Sequence, residues 1–272
     1  MVEVLKDESV HKNARSLAGI LFKNTVLNTT KDEEWEEVWN KMTNDKKDVL
    51  KQGLLESLAS IEKDVIRAAG SSISALCLME IPHDNWLEII DILCTNVDHE
   101  DTKVRYASLL TLGYIWEELL AKEIQKPQVD LIVSAFLGSF ENNYEDEGLI
   151  IQAIQGVYHA LKFTYDHFQQ NQGKVIMDKV IACTSFSNSE VRVIAMQCIV
   201  EAVRLYYDYI EEFMPEITEV TFEAAKKDVT EVKTQAIEVW SSIAEEEGLR
   251  NFKGQRHHSI IDRGFDELEK II

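Results

Sequence analysis

The sequence has few of the residues that break helices. Only 3 prolines and 11 glycines occur in 272 residues. That is too few for the many turns of an all-β sandwich or for the glycine-rich loops of alternating strands and helices. Long helices are therefore the expected secondary structure, and 45% apolar residues suffice for a continuous buried core.

Positive charge is also scarce. The chain has 28 Lys and Arg against 48 Asp and Glu, a formal net charge of −20. Such a surface repels phosphate backbones and anionic headgroups at long range, which argues against nucleic acid and membranes as partners. A basic protein segment would be attracted, and its association rate should fall as salt rises.

Cysteine is rare and scattered. The four cysteines form no CxxC pair and do not cluster with histidine, so we interpret them as reduced residues of helix cores: Cys77, Cys94, Cys183 and Cys198. The sequence shows neither a signal-peptide h-region nor an apolar run of membrane-spanning length. A soluble protein of the cytosol or nucleus is the expectation.

Sequence signatures of catalysis are missing as well. There is no GxxxxGK[ST], GxSxG or HExxH motif. Only His99-Glu100 has the form of the repeated His-Glu pairs that hold two irons in some helical-repeat enzymes. The pair His257-His258 lies in a predicted loop, far from any cysteine. We therefore predict no enzyme, no metal and no cofactor.

Apolar residues recur at helical spacing along most of the chain. Between His11 and Leu27, for example, one stripe holds Ala14, Leu17, Ala18, Leu21 and Phe22. The same pattern predicts helices at Glu33–Met42, Asp45–Ser60, Asp64–Met79, Asn85–Val97, Asp101–Leu119, Val129–Phe140, Glu145–Phe163, Gly173–Thr184, Ser189–Tyr209, Pro215–Lys226, Thr230–Glu246 and Ser259–Ile272. No convincing strand alternation interrupts them.

Alternate helices open in the same way. An apolar residue, often followed by a basic one, precedes a small residue four positions later. These apolar anchors are Ile66, Val104, Leu149, Val191 and Val232, which step by 38, 45, 42 and 41 positions. A period near 40 with two helices per unit is typical of HEAT repeats, and the small residue lets neighbouring inner helices approach closely.

The predicted fold is therefore all-α, a HEAT-repeat α-solenoid (an armadillo-like superhelix) of about six repeats in a single array, 1–272. Helix pairs are expected at about 44–80, 84–119, 127–165, 172–210 and 214–246, with partial repeats at 9–27 and 258–272. The residues before His11 are too few for a covering helix, and nothing follows the last segment. Both ends are thus predicted to be truncated.

Several strings resemble the importin-β (karyopherin-β) family of nuclear transport receptors. They are Ala18-Gly19-Ile20-Leu21-Phe22-Lys23-Asn24, Glu80-Ile81-Pro82-His83-Asp84-Asn85-Trp86, Val191-Arg192-Val193-Ile194-Ala195 and Ile237-Glu238-Val239-Trp240-Ser241. The similarity runs in order from about residue 10 to 250. It implies the N-terminal HEAT-repeat region of a receptor that works in cytoplasm, nucleus and nuclear pore. It also implies two partners, Phe-Gly nucleoporins and Ran-GTP, with importin-α or cargo held mostly by repeats absent here.

The resemblance implies a nucleoporin pocket between the outer helices of adjacent repeats. Its residues are Ile132, Val133 and Phe136 on one helix, facing Val175 and Ile176 on the next. A shallow apolar groove of this kind can accept a phenylalanine ring. This sequence departs from the family in having Phe136 in place of a smaller aliphatic residue, and in lacking one residue and one acid near Gly173.

The resemblance places Ran on the inner helices of the first repeats. Lys23 and Asn24 match the family string there. Because the first outer helix and an acidic loop beyond residue 272 are missing, the expected affinity for Ran is reduced.

A second interpretation is a HEAT scaffold or adaptor without transport activity. The five nucleoporin residues discriminate between the two. A single exposed groove lined by all five favours the receptor, whereas burial of all five favours the scaffold.

Overall fold

A computed structural model describes residues 1–29, 39–119, 124–142, 145–170 and 172–268. Every regular element in these ranges is helical, so the predicted all-α HEAT-repeat class is confirmed. The chain forms two compact units, Met1–Asn142 and Asn143–Ile272. The single continuous array stays a prediction. The predicted helix Glu33–Met42 lies largely outside the described residues.

Unit 1 is built from helices that pack against their neighbours along the chain. Its described helices are α1 (Val2–Lys6), α2 (Lys12–Thr29), α3 (Asn44–Ser57), α4 (Lys63–Glu80), α5 (Glu88–Asn96), α6 (Thr102–Glu118) and α7 (Lys126–Asn142). Helices α2, α4 and α6 lie side by side, with α3 packed on α4 and α5 on α6. The bounds of the predicted repeats stay a prediction.

Small residues bring α2, α4 and α6 close together. A Cβ atom added at Gly19 would lie 2.8 Å from the Cβ of Ala68, and one added at Gly70 would lie 2.9 Å from Oγ1 of Thr111. The hydroxyl of Ser72 donates to the carbonyl oxygen of Gly19 at 3.0 Å. The small residue of the repeat signature thus has the packing role that the sequence predicted at Gly70.

The N-terminal residues form a helix that the sequence pattern did not predict. Helix α1 is a single turn, and it buries Val2 and Leu5 against α2 and α3. Gly53 leaves room for Val2, because a Cβ atom there would lie 2.6 Å from a Val2 methyl group. Arg15 donates from Nε to the carbonyl oxygen of Leu5 at 2.8 Å. We expected these residues to be too few for a covering helix. That expectation is wrong, because they form this one helical turn.

One stretch of unit 1 is long and apolar enough to cross a membrane by length and composition alone. The stretch is Lys63–His83, whereas we expected no apolar run of membrane-spanning length. In the structure, 72% of its most apolar window is buried. Packing against neighbouring helices accounts for its apolar residues.

Unit 2 is also built from packed helices. Its described helices are α8 (Glu147–Ala160), α9 (Tyr165–Gln169), α10 (Gly173–Cys183), α11 (Ser189–Ile210), α12 (Met214–Lys227), α13 (Thr230–Phe252) and α14 (Ile260–Leu268). Helix α11 packs between α8 and α13, while α10 packs on α11 and α12 on α13. The short helix α9 was not predicted, and α13 continues to Phe252 rather than ending at Glu246.

At two of the anchors, the basic residue that follows the apolar one binds backbone. Arg105 donates from Nη1 to the carbonyl oxygens six and five positions earlier, at 2.8 and 3.2 Å. Arg192 donates from Nη1 to the carbonyl oxygens at the same two positions, each at 2.8 Å. Each guanidinium thereby holds the turn that leads into its helix. Arg192 also pairs with Asp228 at 2.6 Å, and this hydrogen bond holds the pKa of Asp228 below its ordinary value.

The four cysteines are free and buried, as predicted. Burial raises the pKa of Cys94 to about 12 and that of Cys183 to about 11. Neither thiol is a ready nucleophile at neutral pH.

Candidate functional site

An open groove of about 840 Å³ crosses the inner helices of unit 1. One wall is α2, the floor is α4 and the other wall is α6; we call it the α2–α6 groove. Leu17, Ile20 and Lys23 line the α2 wall, and Glu118 lines the α6 wall. The floor consists mainly of small side chains, such as Ala68, and this is what makes it a trough.

The α2 wall exposes large apolar side chains. Leu17 is 54% exposed and Ile20 is 47% exposed. An apolar wall beside an open trough is a feature of binding surfaces, because water contact with such side chains is unfavourable. The groove can therefore accept a partner segment with an apolar face.

This exposure corrects one prediction. The sequence stripe placed Leu17 and Leu21 on the buried face of α2, but both are about half exposed. Ala18 and Phe22 of the stripe are buried, and the buried face also carries Arg15 and Gly19. Periodicity missed this register because it treats arginine as an exposed residue, whereas the Arg15 guanidinium is held by the carbonyl of Leu5.

The two residues predicted for Ran lie together on α2. Lys23 lines the α2–α6 groove, is half-buried and makes no ion pair within the described ranges. Asn24 follows it on the exposed side of the helix. Opposite them, the α6 wall carries Glu117 and Glu118. The groove thus has an apolar wall that also carries the Lys23 cation, and carboxylates on the opposite wall.

The five residues predicted for nucleoporin binding differ in exposure. Ile132, Val133 and Phe136 on α7 are buried, and so is Ile176 on α10. Val175, on the first turn of α10, is 55% exposed. The structure therefore offers one of the five as free surface, and the pocket itself stays a prediction.

An aromatic cluster lies behind the first turn of α10. The Phe168 ring stacks on Tyr206, with ring centroids 4.0 Å apart. The Tyr206 hydroxyl donates to the carbonyl oxygen of Leu161 and accepts from the hydroxyl of Thr164 at 3.2 Å. Burial raises the pKa of Tyr206, so it stays a phenol at neutral pH. Sequence analysis did not single out Phe168, because the five-residue helix α9 is too short to show a helical period.

Within the described part of the chain, no group of three or more His, Cys, Asp or Glu residues could hold a metal ion. His99 makes a local contact instead, accepting a hydrogen bond at Nδ1 from the amide of Asp101 at 3.0 Å.

Helix pairs of this kind, with an exposed groove across their inner helices, define a HEAT-repeat protein. No protein-family model matches the chain. Several curated proteins are similar to it. The chain is 29% identical over 238 residues to importin subunit beta-1 of Arabidopsis thaliana, covering 86% of the chain and 27% of the relative. It is 26% identical over 258 residues to importin subunit beta-1 of Saccharomyces cerevisiae, covering 90% of the chain and 29% of the relative.

Solved structures show the same fold. Yeast importin-beta (Kap95p) matches with a TM-score of 0.87 and 24% identity, over 97% of this chain and 32% of that one. The Kap95:Nup1 complex matches with a TM-score of 0.85 and 23% identity, over 97% and 32%. A third match is a Kap95p structure in which binding induces the switch loops of RanGDP to adopt the GTP-bound conformation. Its TM-score is 0.85 and its identity 22%, over 97% of this chain and 31% of that one.

These comparisons confirm the resemblance to the N-terminal HEAT-repeat region of importin-β. The chain spans less than a third of the length of the curated relatives it matches.

Proposed function

We propose that the chain is the partner-binding HEAT-repeat region of a nuclear transport receptor, acting in protein import between cytoplasm and nucleus. The observation that carries the proposal is the similarity to importin subunit beta-1, which extends over 86% to 90% of the chain. The mechanism is contact without chemistry, in which folded surfaces select their ligands by shape and charge.

Ran-GTP is the ligand that we propose for the α2–α6 groove. The support is the exposed apolar wall at Leu17 and Ile20, together with Lys23 as a half-buried ammonium without an ion-pair partner in the described chain. A structural neighbour, Kap95p, binds Ran. An apolar partner segment with a carboxylate toward Lys23 satisfies both features of the wall.

The variant Lys23→Glu tests this groove. We expect at least a tenfold loss of affinity for Ran-GTP, about 1.4 kcal/mol, because charge reversal beside an apolar contact repels the partner. Titration of labelled Ran-GTP, followed by fluorescence anisotropy, measures the effect. Lys46→Glu is the matched control, since Lys46 is exposed on α3 outside the groove and makes no ion pair within the described ranges. Equal losses in both variants would show that only net charge matters.

Nucleoporin binding is the second function that we propose, at α10. The observation that favours it is the 55% exposure of Val175 on a short outer helix. A structural neighbour is the Kap95:Nup1 complex. A disordered Phe-Gly segment loses chain entropy on binding, so a single pocket should be weak, and several pockets raise the avidity. Weak single contacts permit fast exchange.

The variant Val175→Asp tests the nucleoporin proposal. We expect binding of a labelled Phe-Gly peptide to fall at least fivefold, because a carboxylate replaces an apolar contact surface. Val49→Asp is the control, since Val49 is 60% exposed on α3 in the other unit. Ile132→Asp is less suitable, because Ile132 is fully buried and a charge there would unfold unit 1. Unchanged binding by a folded Val175→Asp would contradict the proposal.

The scaffold interpretation has one observation in its favour, the burial of four of the five predicted nucleoporin residues. Wild-type protein that binds neither Ran-GTP nor a Phe-Gly peptide would establish it over the receptor.

A further inference from the structure

We propose that Phe168 and Tyr206 are positioning residues for the ligand-binding surface of α10. They set the place of its first turn, and thereby the presentation of Val175. The inference rests on the nucleoporin binding proposed above. It concerns residues that do not touch the ligand and that sequence analysis did not assign.

The Phe168 ring packs between α10 and α11. It is 2% exposed and nearly parallel to the Tyr206 ring, with an interplanar angle of 16°. The same ring lies against Gly173, the first residue of α10. A Cβ atom at Gly173 would be 2.6 Å from Cδ1 and 2.7 Å from Cγ of Phe168. The start of α10 is thus seated directly on this ring.

Tyr206 is itself held firmly. Its hydroxyl bonds to the Leu161 carbonyl and to the Thr164 hydroxyl, both in the link that follows α8. Its backbone leaves helical geometry within α11, at φ −133° and ψ 31°. Since the ring is buried and held at its hydroxyl end, Tyr206 forms a firm support under Phe168.

Gly173 is required here for space. Its contact with Phe168 is closer than real Cβ atoms show, so any side chain must displace either the ring or the first turn of α10. The ring cannot retreat, because Tyr206 lies 4.0 Å behind it. The first turn of α10 must therefore move, and Val175 lies in that turn, two residues after Gly173. A shift of about 1 Å is enough to weaken a shallow contact site.

A double-mutant cycle tests the inference. The proteins are wild type, Gly173→Ala, Phe168→Ala and the double variant, each titrated with a labelled Phe-Gly peptide. We expect Gly173→Ala to weaken binding at least fivefold in the wild-type background. In the Phe168→Ala background it should change binding less than twofold, because the colliding ring atoms are gone.

Two further measurements separate positioning from general damage. Gly248→Ala is the matched control, since nothing lies within 4 Å of a Cβ atom added there, and it should bind like wild type. Amide hydrogen exchange should rise in the first turn of α10 in Gly173→Ala and return toward the Phe168→Ala level in the double variant. This second readout needs no ligand.

The outcomes are distinct. Wild type that does not bind the peptide contradicts the nucleoporin function and this inference with it. If wild type binds the peptide, two results overturn the positioning role alone. One is that Gly173→Ala weakens binding equally in both backgrounds, and the other is that it weakens binding in neither. A fivefold loss that disappears with the Phe168 ring establishes it.

Discussion

Replacing Gly19 by alanine is expected to lower the free energy of unfolding of unit 1 by about 2 kcal/mol, in the range for overpacking a tight contact. The added Cβ atom would lie 2.8 Å from the Cβ of Ala68 and 3.2 Å from its backbone. Backbone cannot give way as a flexible side chain can, so α2 and α4 must separate. That movement also strains the hydrogen bond from Ser72 to the Gly19 carbonyl, now 3.0 Å long.

The test discriminates well because close packing and helix propensity predict changes in stability of opposite sign. Helix propensity alone predicts that glycine to alanine stabilises a helix interior by about 0.5 to 1 kcal/mol. Gly113→Ala is the matched control, because it lies within α6 of the same unit and nothing is within 4 Å of a Cβ atom there. Urea unfolding followed by circular dichroism should show Gly113→Ala stabilised and Gly19→Ala destabilised. Two variants that shift in the same direction would contradict the close approach of α2 and α4.

Replacing Glu80 by alanine is expected to cost about 3 to 5 kcal/mol of stability, the range for breaking one partner out of a buried ion pair. The Glu80 carboxylate accepts from Trp39 Nε1 and from Lys51 Nζ, both at 2.6 Å. Its side chain is 6% exposed and that of Lys51 is 13% exposed. Lys51 also lies over the Trp86 ring at 4.9 Å. Loss of Glu80 would leave a buried ammonium and a buried indole N–H without this acceptor.

A second variant separates the pair from its packing. In Glu80→Leu with Lys51→Met, both charges leave together, so the cost should be well below that of Glu80→Ala. Urea unfolding of all three proteins measures the difference. A double variant as unstable as Glu80→Ala would show that Glu80 acts mainly by filling space.

The same carboxylate predicts a pH dependence. Burial acts to raise the pKa of Glu80, but the hydrogen bonds from Lys51 and Trp39 outweigh it and leave that pKa below its ordinary value. A folded pKa below the unfolded one means that the stabilisation is complete above the unfolded pKa and is lost as pH falls through the folded pKa. The stability difference between wild type and Glu80→Gln should therefore be largest near neutral pH and shrink below about pH 4.3.

Much of the fold could be predicted, because periodicity records which helix faces are buried. The predicted Gly173–Thr184 and Ser189–Tyr209 agree with α10 and α11 to one residue. The spacing of the anchors predicted helix pairs for the same reason, and the small residue Gly70 does lie at a contact between inner helices. Helix α1 escaped prediction because a single turn is too short to show a period.

The candidate site could be predicted only in part. Resemblance of a short string drew attention to Lys23, which does line a groove. The groove itself depends on how closely α2 and α4 approach, and that follows from contacts distant in sequence. Periodicity shows that Ile132 and Val175 are apolar positions of helices, but their opposite exposures depend on which neighbour covers each one.

The paired carbonyl contacts of Arg105 and Arg192 have a consequence for how such a chain can change. A carbonyl oxygen is the same in every amino acid, so each guanidinium recognises the path of its turn and not the side chains along it. The two turns indeed differ, with His99-Glu100 at one and Phe186-Ser187 at the other. Turn residues can therefore diversify toward new ligands while the joint between helices keeps its geometry.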